Sequence, residues 1–255
     1  AARMALERAN LTPADIGMVV SGCSTPAWSS PAEATMAAAE LGIEAPCFDM
    51  NSACTTFGIQ IVMLGRMAAD RLPPFVLIVQ PENITRCIDF SDRAQAILFG
   101  DASTAAVVSA SVEAPVAFVE SGCGSKATGW SKVAVPVAGH FRQDGHAVQG
   151  FAIRRMTEQI LSVKAGMPEG RRLRFIGHQV NMGALQTVCE RAGIAAEDHW
   201  YNVDMFGNTG CAGASSVLSQ HWDGLEPGDN VGICIVGAGL TWVHLRLAVK
   251  EEDGK

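Results

Sequence analysis

Residues 49–60 read DMNSACTTFGIQ. The stretch passes from an apolar run through small polar residues into an apolar helix pattern, with a cysteine at the join. Cys47 through Met50 has the character of a short buried strand. Residues 54–71 carry helical periodicity, with Phe57, Ile61, Leu64 and Met67 on one face. Ser52 is placed to cap that helix. In a first helical turn, unpaired N–H groups and the helix dipole favour a thiolate over a thiol, so the expectation at Cys54 is an activated nucleophile. Taken alone, a buried cysteine is ordinarily a small hydrophobe. Its address at a helix start raises the second reading.

Outward from this stretch, strand-like and helical patterns alternate. IGMVVSGC (16–23) is followed by an alanine-rich helix over 32–41, then PCFDMN (46–51), the Cys54 helix and FVLIVQ (75–80). ILFGDASTAAVVSA (97–110) reads as a strand, a Gly-Asp turn and a second strand. Residues 117–145 are poor in periodicity and read as a loop with one strand. From His146 the pattern restarts with a helix to about Lys164, the strand RLRFIGH (172–178) and a helix over 182–192. The strand WYNVD (200–204), a helix over 211–222, and the strands NVGICIVGA (230–238) and LTWVHLRLAV (240–249) complete it. This is α/β order, and the second half repeats the first. The expected halves are residues 1–112, carrying Cys54, and 113–255. The helices at Cys54 and Cys211 hold corresponding places, and a site is expected where strand ends of the two halves meet.

Composition narrows the function. The chain has 255 residues, 48% hydrophobic and 18% charged, so it folds around a sizeable core. A net charge of −7 argues against a nucleic-acid surface. The eight cysteines form no C-x-x-C pair and fall within apolar patterns, which points to reduced thiols in a cytoplasm. No apolar run approaches the ~20 residues of a membrane span, and the first residues lack the layout of a secretory signal. The chain opens inside a helix pattern, AARMALERAN, so the expectation is a natural start further upstream.

Two more residues stand where a strand or loop gives way to a helix. His178 lies in FIGHQVNMGAL and Asn208 in DMFGNTGCAGAS. Singly, the first reads as a structural histidine and the second as a turn or cap residue. Together with Cys54 they supply a thiol, an imidazole and an amide, the groups that acyl transfer through a cysteine thioester requires.

The motifs NSACTTF, FGDASTAAV, HQVNMGAL, GNTGCAGAS and VGAGLTW occur in the order, and near the spacing, of the ketoacyl synthase III family of thiolase-fold condensing enzymes. The sequence resembles that family over essentially its whole length. The resemblance implies duplicated α/β halves in an αβαβα arrangement, with the amino-terminal part of the first half missing. It implies Cys54, His178 and Asn208 as the catalytic set. Cys54 accepts an acyl group from a coenzyme A thioester, while His178 and Asn208 bind a malonyl thioester carbonyl as carbon dioxide leaves. The carbanion then releases a 3-ketoacyl product. The backbone N–H groups of Cys54 and Ala238 form the implied oxyanion hole, with alanine where the family usually has glycine. Trp28, Ser30, Gly237 and Gly239 belong to the implied substrate pocket. No metal and no cofactor are implied, coenzyme A being a substrate. Implied partners are acyl-CoA, malonyl-acyl carrier protein or malonyl-CoA, and a second copy in a homodimer. Asp101 is expected to fix a turn, and Trp242 to be core or shell.

Departures from the family are informative. Gly183 and Glu190 replace basic carrier-docking positions and leave only Arg191 basic there, while Gln149-Gly150 replaces a usual Phe-Lys pair. Arg154, Arg155, Arg171, Arg172 and Arg174 form either another basic patch or a solvated face. Ser30 stands where a bulky aromatic is usual, which leaves room for a longer or polar-ended primer unless Trp28 refills the space. These changes favour specialised primer chemistry, in fatty-acid, biotin-precursor or natural-product synthesis. Two alternatives remain: acyl transfer from Cys54 to an alcohol or amine, and a catalytically silent subunit of a heterodimeric synthase.

Overall fold

The computed structural model describes residues 1–251. Its strands are β1 (Met18–Ser21), β2 (Cys47–Asp49), β3 (Val76–Glu82), β4 (Ala102–Val108), β5 (Val116–Ser125), β6 (Val133–Ala134), β7 (Arg142–Gln143), β8 (Leu173–Gly177), β9 (His199–Trp200), β10 (Asn230–Gly237) and β11 (Thr241–Val249). Its α-helices are α1 (Ala2–Arg8), α2 (Glu33–Leu41), α3 (Thr56–Arg66), α4 (Arg93–Ala96), α5 (Gly145–Ala165), α6 (Met182–Ala192), α7 (Val203–Phe206) and α8 (Gly213–His221). One sheet has the order β2-β1-β3-β4, a second β5-β11-β10-β8-β9, and β6-β7 is a small hairpin. The inner connections of both sheets are parallel, β1 with β3 and β8 with β10, each flanked by an antiparallel partner.

Five layers result. Helices α1 and α2 cover the outer face of the first sheet, α3 and α8 lie between the sheets, and α5 and α6 cover the outer face of the second. Strands buried on both faces explain the unbroken apolar runs in the sequence. In β3, Val76 and Ile78 face the central layer while Leu77 and Val79 face α1 and α2. In β10, Val231, Ile233 and Ile235 face the centre while Cys234 and Val236 meet α5 and α6. Each such side chain contributes about 2 kcal/mol of burial. The αβαβα arrangement is the one the resemblance implies.

Local departures have identifiable causes. The strand expected before Gly100 is absent: Asp92 caps the single turn of α4, and Phe99 makes only an isolated bridge to Asn208. The one strand expected within residues 117–145 is the ten-residue β5, which opens that segment. Its periodicity is hidden because glycines stand where apolar residues would: a Cβ at Gly122 would meet the His244 ring at 2.4 Å, and one at Gly124 the Trp242 ring at 2.6 Å. The strand expected over WYNVD stops at Trp200 and gives way to α7. Helix α3 is shorter than its pattern, starting at Thr56 and ending at Arg66.

Candidate active site

The nucleophile candidate sits on a turn between β2 and α3. Cys54 precedes the N-cap residue Thr55, so it lies just outside the helix and not in its first turn. Ala53 adopts φ +47°, a left-handed conformation that costs a non-glycine residue about 1–2 kcal/mol. Local hydrogen bonds hold it there. The Ala53 N–H donates to Asn51 Oδ1 (2.8 Å), and the Thr55 and Thr56 hydroxyls donate to the carbonyls of Ser52 and Ala53 (both 2.7 Å). The Ser52 hydroxyl meets Thr55 Oγ1 at 2.8 Å and does not cap the helix.

The backbone N–H groups of Cys54 and Ala238 lie near the Cys54 sulfur and favour its thiolate. Gly237 lies against it; a Cβ there would stand 3.2 Å from the Cys54 and Thr55 nitrogens. The Ala238 segment is tied back, because Thr241 Oγ1 donates to the Ala238 carbonyl (3.0 Å) and meets Thr55 Oγ1 at 3.1 Å. Burial, reinforced by the Glu82 carboxylate, pushes the Cys54 thiol up to about 12, against the pull of the two N–H groups. This reverses the expectation from helix position. Desolvation outweighs the dipole, and the resting group near neutral pH is a thiol.

His178 follows β8 directly and is buried, with no hydrogen-bond partner for Nδ1 among the described residues. Burial lowers its pKa from 6.5 to about 4, so the ring is neutral at pH 7 and carries one N–H. Its neighbour Gln179, which sequence reasoning passed over, locks the strand end. Gln179 Nε2 donates to the Gly177 carbonyl (2.7 Å), while Oε1 accepts from the Asn202 and Val203 N–H groups (3.0 and 3.1 Å). A Cβ at Gly213 would lie 3.3 Å from Gln179 Cβ, so His178-Gln179 abuts the start of α8.

Asn208 is buried on the loop leading into α8. Its Oδ1 accepts from the Gly210 N–H (3.0 Å), which turns the Nδ2 donor end outward from that contact. Its backbone is clasped by the turn before β4: Asn208 N–H donates to the Leu98 carbonyl (2.7 Å), and Gly100 N–H to the Asn208 carbonyl (3.2 Å). FGD at 99–101 thus lies against FGN at 206–208. Asp101 fixes its turn as expected, accepting from the Thr85 N–H (2.9 Å) and hydroxyl (2.5 Å).

A buried carboxylate that sequence reasoning missed joins these parts. Glu82, at the end of β3, accepts from the Cys211 N–H (3.2 Å) beside Asn208, and its charge acts on Cys54. The signal was there: a lone acid closing the run FVLIVQPE. The structure therefore gathers Cys54, Gly237 and Ala238 at one place. It joins the Asn208 loop to that place through Glu82, and His178 to the Asn208 loop through Gln179. Trp28, 62% exposed, and Ser30 lie at the surface and are not enclosed with them. Gly239 occupies the β10–β11 turn at φ +134°.

The arginine cluster is mostly neutralised. Arg155 pairs with Glu158 and lies over the Trp242 ring, Arg171 pairs with Glu251, and Arg172 and Arg174 share Asp198. Among the described residues, no group of three His, Cys, Asp or Glu side chains forms a metal-binding cluster. No described helix is long and apolar enough to cross a membrane.

Known proteins resemble the chain in sequence and in fold. The family model for 3-oxoacyl-[acyl-carrier-protein (ACP)] synthase III matches residues 48–127, and the model for its C-terminal part matches residues 164–248. A beta-ketoacyl-[acyl-carrier-protein] synthase III of Helicobacter pylori is 31% identical, over 95% of this chain and 79% of the relative. One from Symbiobacterium thermophilum is 29% identical, over 97% and 81%. The 3-oxoacyl-[acyl-carrier-protein] synthase III of Aquifex aeolicus superposes with a TM-score of 0.90 at 26% identity, over 97% of this chain and 82% of its own. The priming β-ketosynthase of the R1128 polyketide pathway gives 0.84 at 27% identity, over 98% and 80%.

Proposed function

Because the chain belongs to the 3-oxoacyl-[acyl-carrier-protein] synthase III family of thiolase-fold condensing enzymes, we propose that Cys54 carries the primer acyl group while His178 and Asn208 handle the malonyl thioester. The chain is an acyltransferase that performs a decarboxylating condensation. The observation that carries the Cys54 assignment is its place on the turn between β2 and α3, with the Gly237–Ala238 backbone packed against it.

In the first half-reaction the Cys54 thiol gives up its proton and its sulfur attacks the acyl-CoA carbonyl. The carbonyl oxygen becomes an oxyanion within reach of the Cys54 and Ala238 N–H groups, and the coenzyme A thiol leaves with a proton. Preformed donors in a desolvated site are worth several kcal/mol to such a charge. In the second half-reaction the malonyl carboxylate leaves as carbon dioxide, and its electron pair builds an enolate on the thioester. A neutral imidazole and an amide suit that oxygen, because both donate hydrogen bonds without titrating near pH 7. The carbanion attacks the Cys54 thioester, the sulfur departs and regains its proton, and the 3-ketoacyl thioester is released.

Family membership supports acyl-CoA as the primer source and a malonyl carrier-protein thioester as the extender. The paired arginines speak for a dedicated carrier or malonyl-CoA over a general acidic carrier. A specialised fatty-acid, biotin-precursor or natural-product pathway follows from the same features. We take residues 1–112 and 113–255 as the two halves, in keeping with the separate sheets, the last four residues lying outside the described ones. A homodimer is the assembly we infer, since Trp28, Phe90 and Ile97 are exposed at 62, 66 and 77%. Eight free thiols suit a reducing cytoplasm.

Simultaneous assay of carbon dioxide and 3-ketoacyl product tests the reaction. Equimolar release that requires both acyl-CoA and a malonyl thioester is expected. Transfer of the acyl group to an alcohol or amine without carbon dioxide would contradict it.

A further inference from the structure

Glu82 is nearly fully buried, and among the described residues no Lys, Arg or His forms an ion pair with it. A buried carboxylate without a cation needs hydrogen-bond donors. Here Oε2 accepts from the N–H groups of Ser24 (3.3 Å) and Cys211 (3.2 Å), and Oε1 lies 3.4 Å from the Cys23 thiol and 3.2 Å from the Thr25 hydroxyl. The donors come from two remote segments, the one after β1 and the one before α8. One carboxylate therefore joins three parts of the chain at the seam between the sheets.

The loop that carries Asn208 is shaped around this carboxylate. Gly210 has φ +57°, and a Cβ there would stand 2.6 Å from Glu82 Oε2, so both backbone conformation and space exclude a side chain. The same Gly210 supplies the N–H that holds Asn208 Oδ1. The chain of contacts is short: Glu82 seats the Gly210–Cys211 turn, and that turn sets which end of the Asn208 amide is available. Two residues back on the same face of β3, Gln80 bonds Gln60 of α3 (2.6 Å) and Thr104 of β4 (2.8 Å), and Thr104 meets Ser215 of α8 at 2.6 Å. The polar seam continues beneath both interlayer helices.

We propose that Glu82 is a positioning residue for the decarboxylating half-reaction: by accepting from the Cys211 and Ser24 N–H groups it fixes the Gly210 turn that aims the Asn208 amide. The proposal rests on the reading of Asn208 given above. Two variants separate its geometry from its bulk. Glu82→Gln keeps the length and one oxygen for the two N–H groups. Glu82→Asp keeps the charge but is one methylene shorter and withdraws from Cys211.

The experiment measures both half-reactions in the purified protein: Cys54 acylation by intact mass after mixing with acyl-CoA, and carbon dioxide release with 3-ketoacyl formation from a malonyl thioester. Glu82→Asp is expected to slow condensation at least tenfold with acylation kept within about threefold, and Glu82→Gln to restore condensation to within about threefold of wild type. A structural role alone would depress both half-reactions in parallel, and that result overturns the proposal. Condensation by Glu82→Asp at the wild-type rate overturns it too while leaving the Asn208 reading intact. A wild-type protein that acylates Cys54 but yields no 3-ketoacyl product overturns both.

Discussion

The Cys54 turn and the Asn208 turn occupy corresponding places, each leading into a helix between the sheets, yet they are held in opposite ways. The Cys54 turn is self-contained: residues 51–56 supply the hydrogen bonds that keep Ala53 at its positive φ. The Asn208 turn has local bonds too, Gly210 N–H to Asn208 Oδ1 and Ala212 N–H to the Thr209 carbonyl, but does not rest on them alone. It is held by the Leu98 carbonyl, the Gly100 N–H and Glu82, all distant in sequence. A nucleophile needs one fixed atom, which a local turn can provide, while the second N–H group near it, that of Ala238, comes from the β10–β11 turn. An amide that must meet a substrate carbonyl opposite that nucleophile has to be registered against the other half of the molecule.

The sharpest way to break the comparison is at the amide. Asn208→Ala should lower condensation about 10²-fold or more while Cys54 still accepts acyl groups, since a lost oxyanion donor costs on that order. Separate assays of the two half-reactions check it. Next is the clasp. Gly207 has φ +67°, and a Cβ there would stand 2.7 Å from the Leu98 carbonyl oxygen. Gly207→Ala should therefore cost about 4 kcal/mol of stability in denaturant unfolding, strain and overpacking together, with condensation lost ahead of acylation.

His178 gives a pH signature of somewhat smaller size. Its folded pKa, about 4, lies below the ordinary 6.5 because burial disfavours the cation. Between those values the unfolded chain binds the proton and the folded one does not. Stability should thus be full above pH 6.5 and fall by up to about 3 kcal/mol as pH drops towards 4. Unfolding midpoints across that range, compared with His178→Gln, isolate this share. The smallest effect is expected at Ala53. Ala53→Gly relieves left-handed strain but adds unfolded-chain freedom, so stability should change by less than about 1 kcal/mol and Cys54 acylation should persist.

The same contrast explains what could be read from the sequence. The nucleophile turn was legible because its determinants are contiguous: Cys54 lies in an unbroken strand–turn–helix pattern. The layer order was legible from runs such as VLIV in β3, which are apolar because both faces are buried. His178 and Asn208 emerged through ordered motifs, not through any local pattern of their own. Glu82 and Gln179 were missed because their partners, Cys211 and the Asn202–Val203 backbone, meet them only in the folded chain. The one strand expected in residues 117–145 is β5, and its bounds were not legible because Gly122 and Gly124 make room for His244 and Trp242 across the ladder. The thiol acidity was misjudged for a related reason: helix position is written in sequence, and the depth of burial is not.

The most direct measurement is the intact mass of the protein after incubation with acyl-CoAs from acetyl to octanoyl, with glutaryl and aromatic members included. The account predicts an increment equal to one acyl group for at least one member, absent from Cys54→Ala. An increment that survives in Cys54→Ala, or none with any member, would contradict the assignment of Cys54 as the acyl carrier.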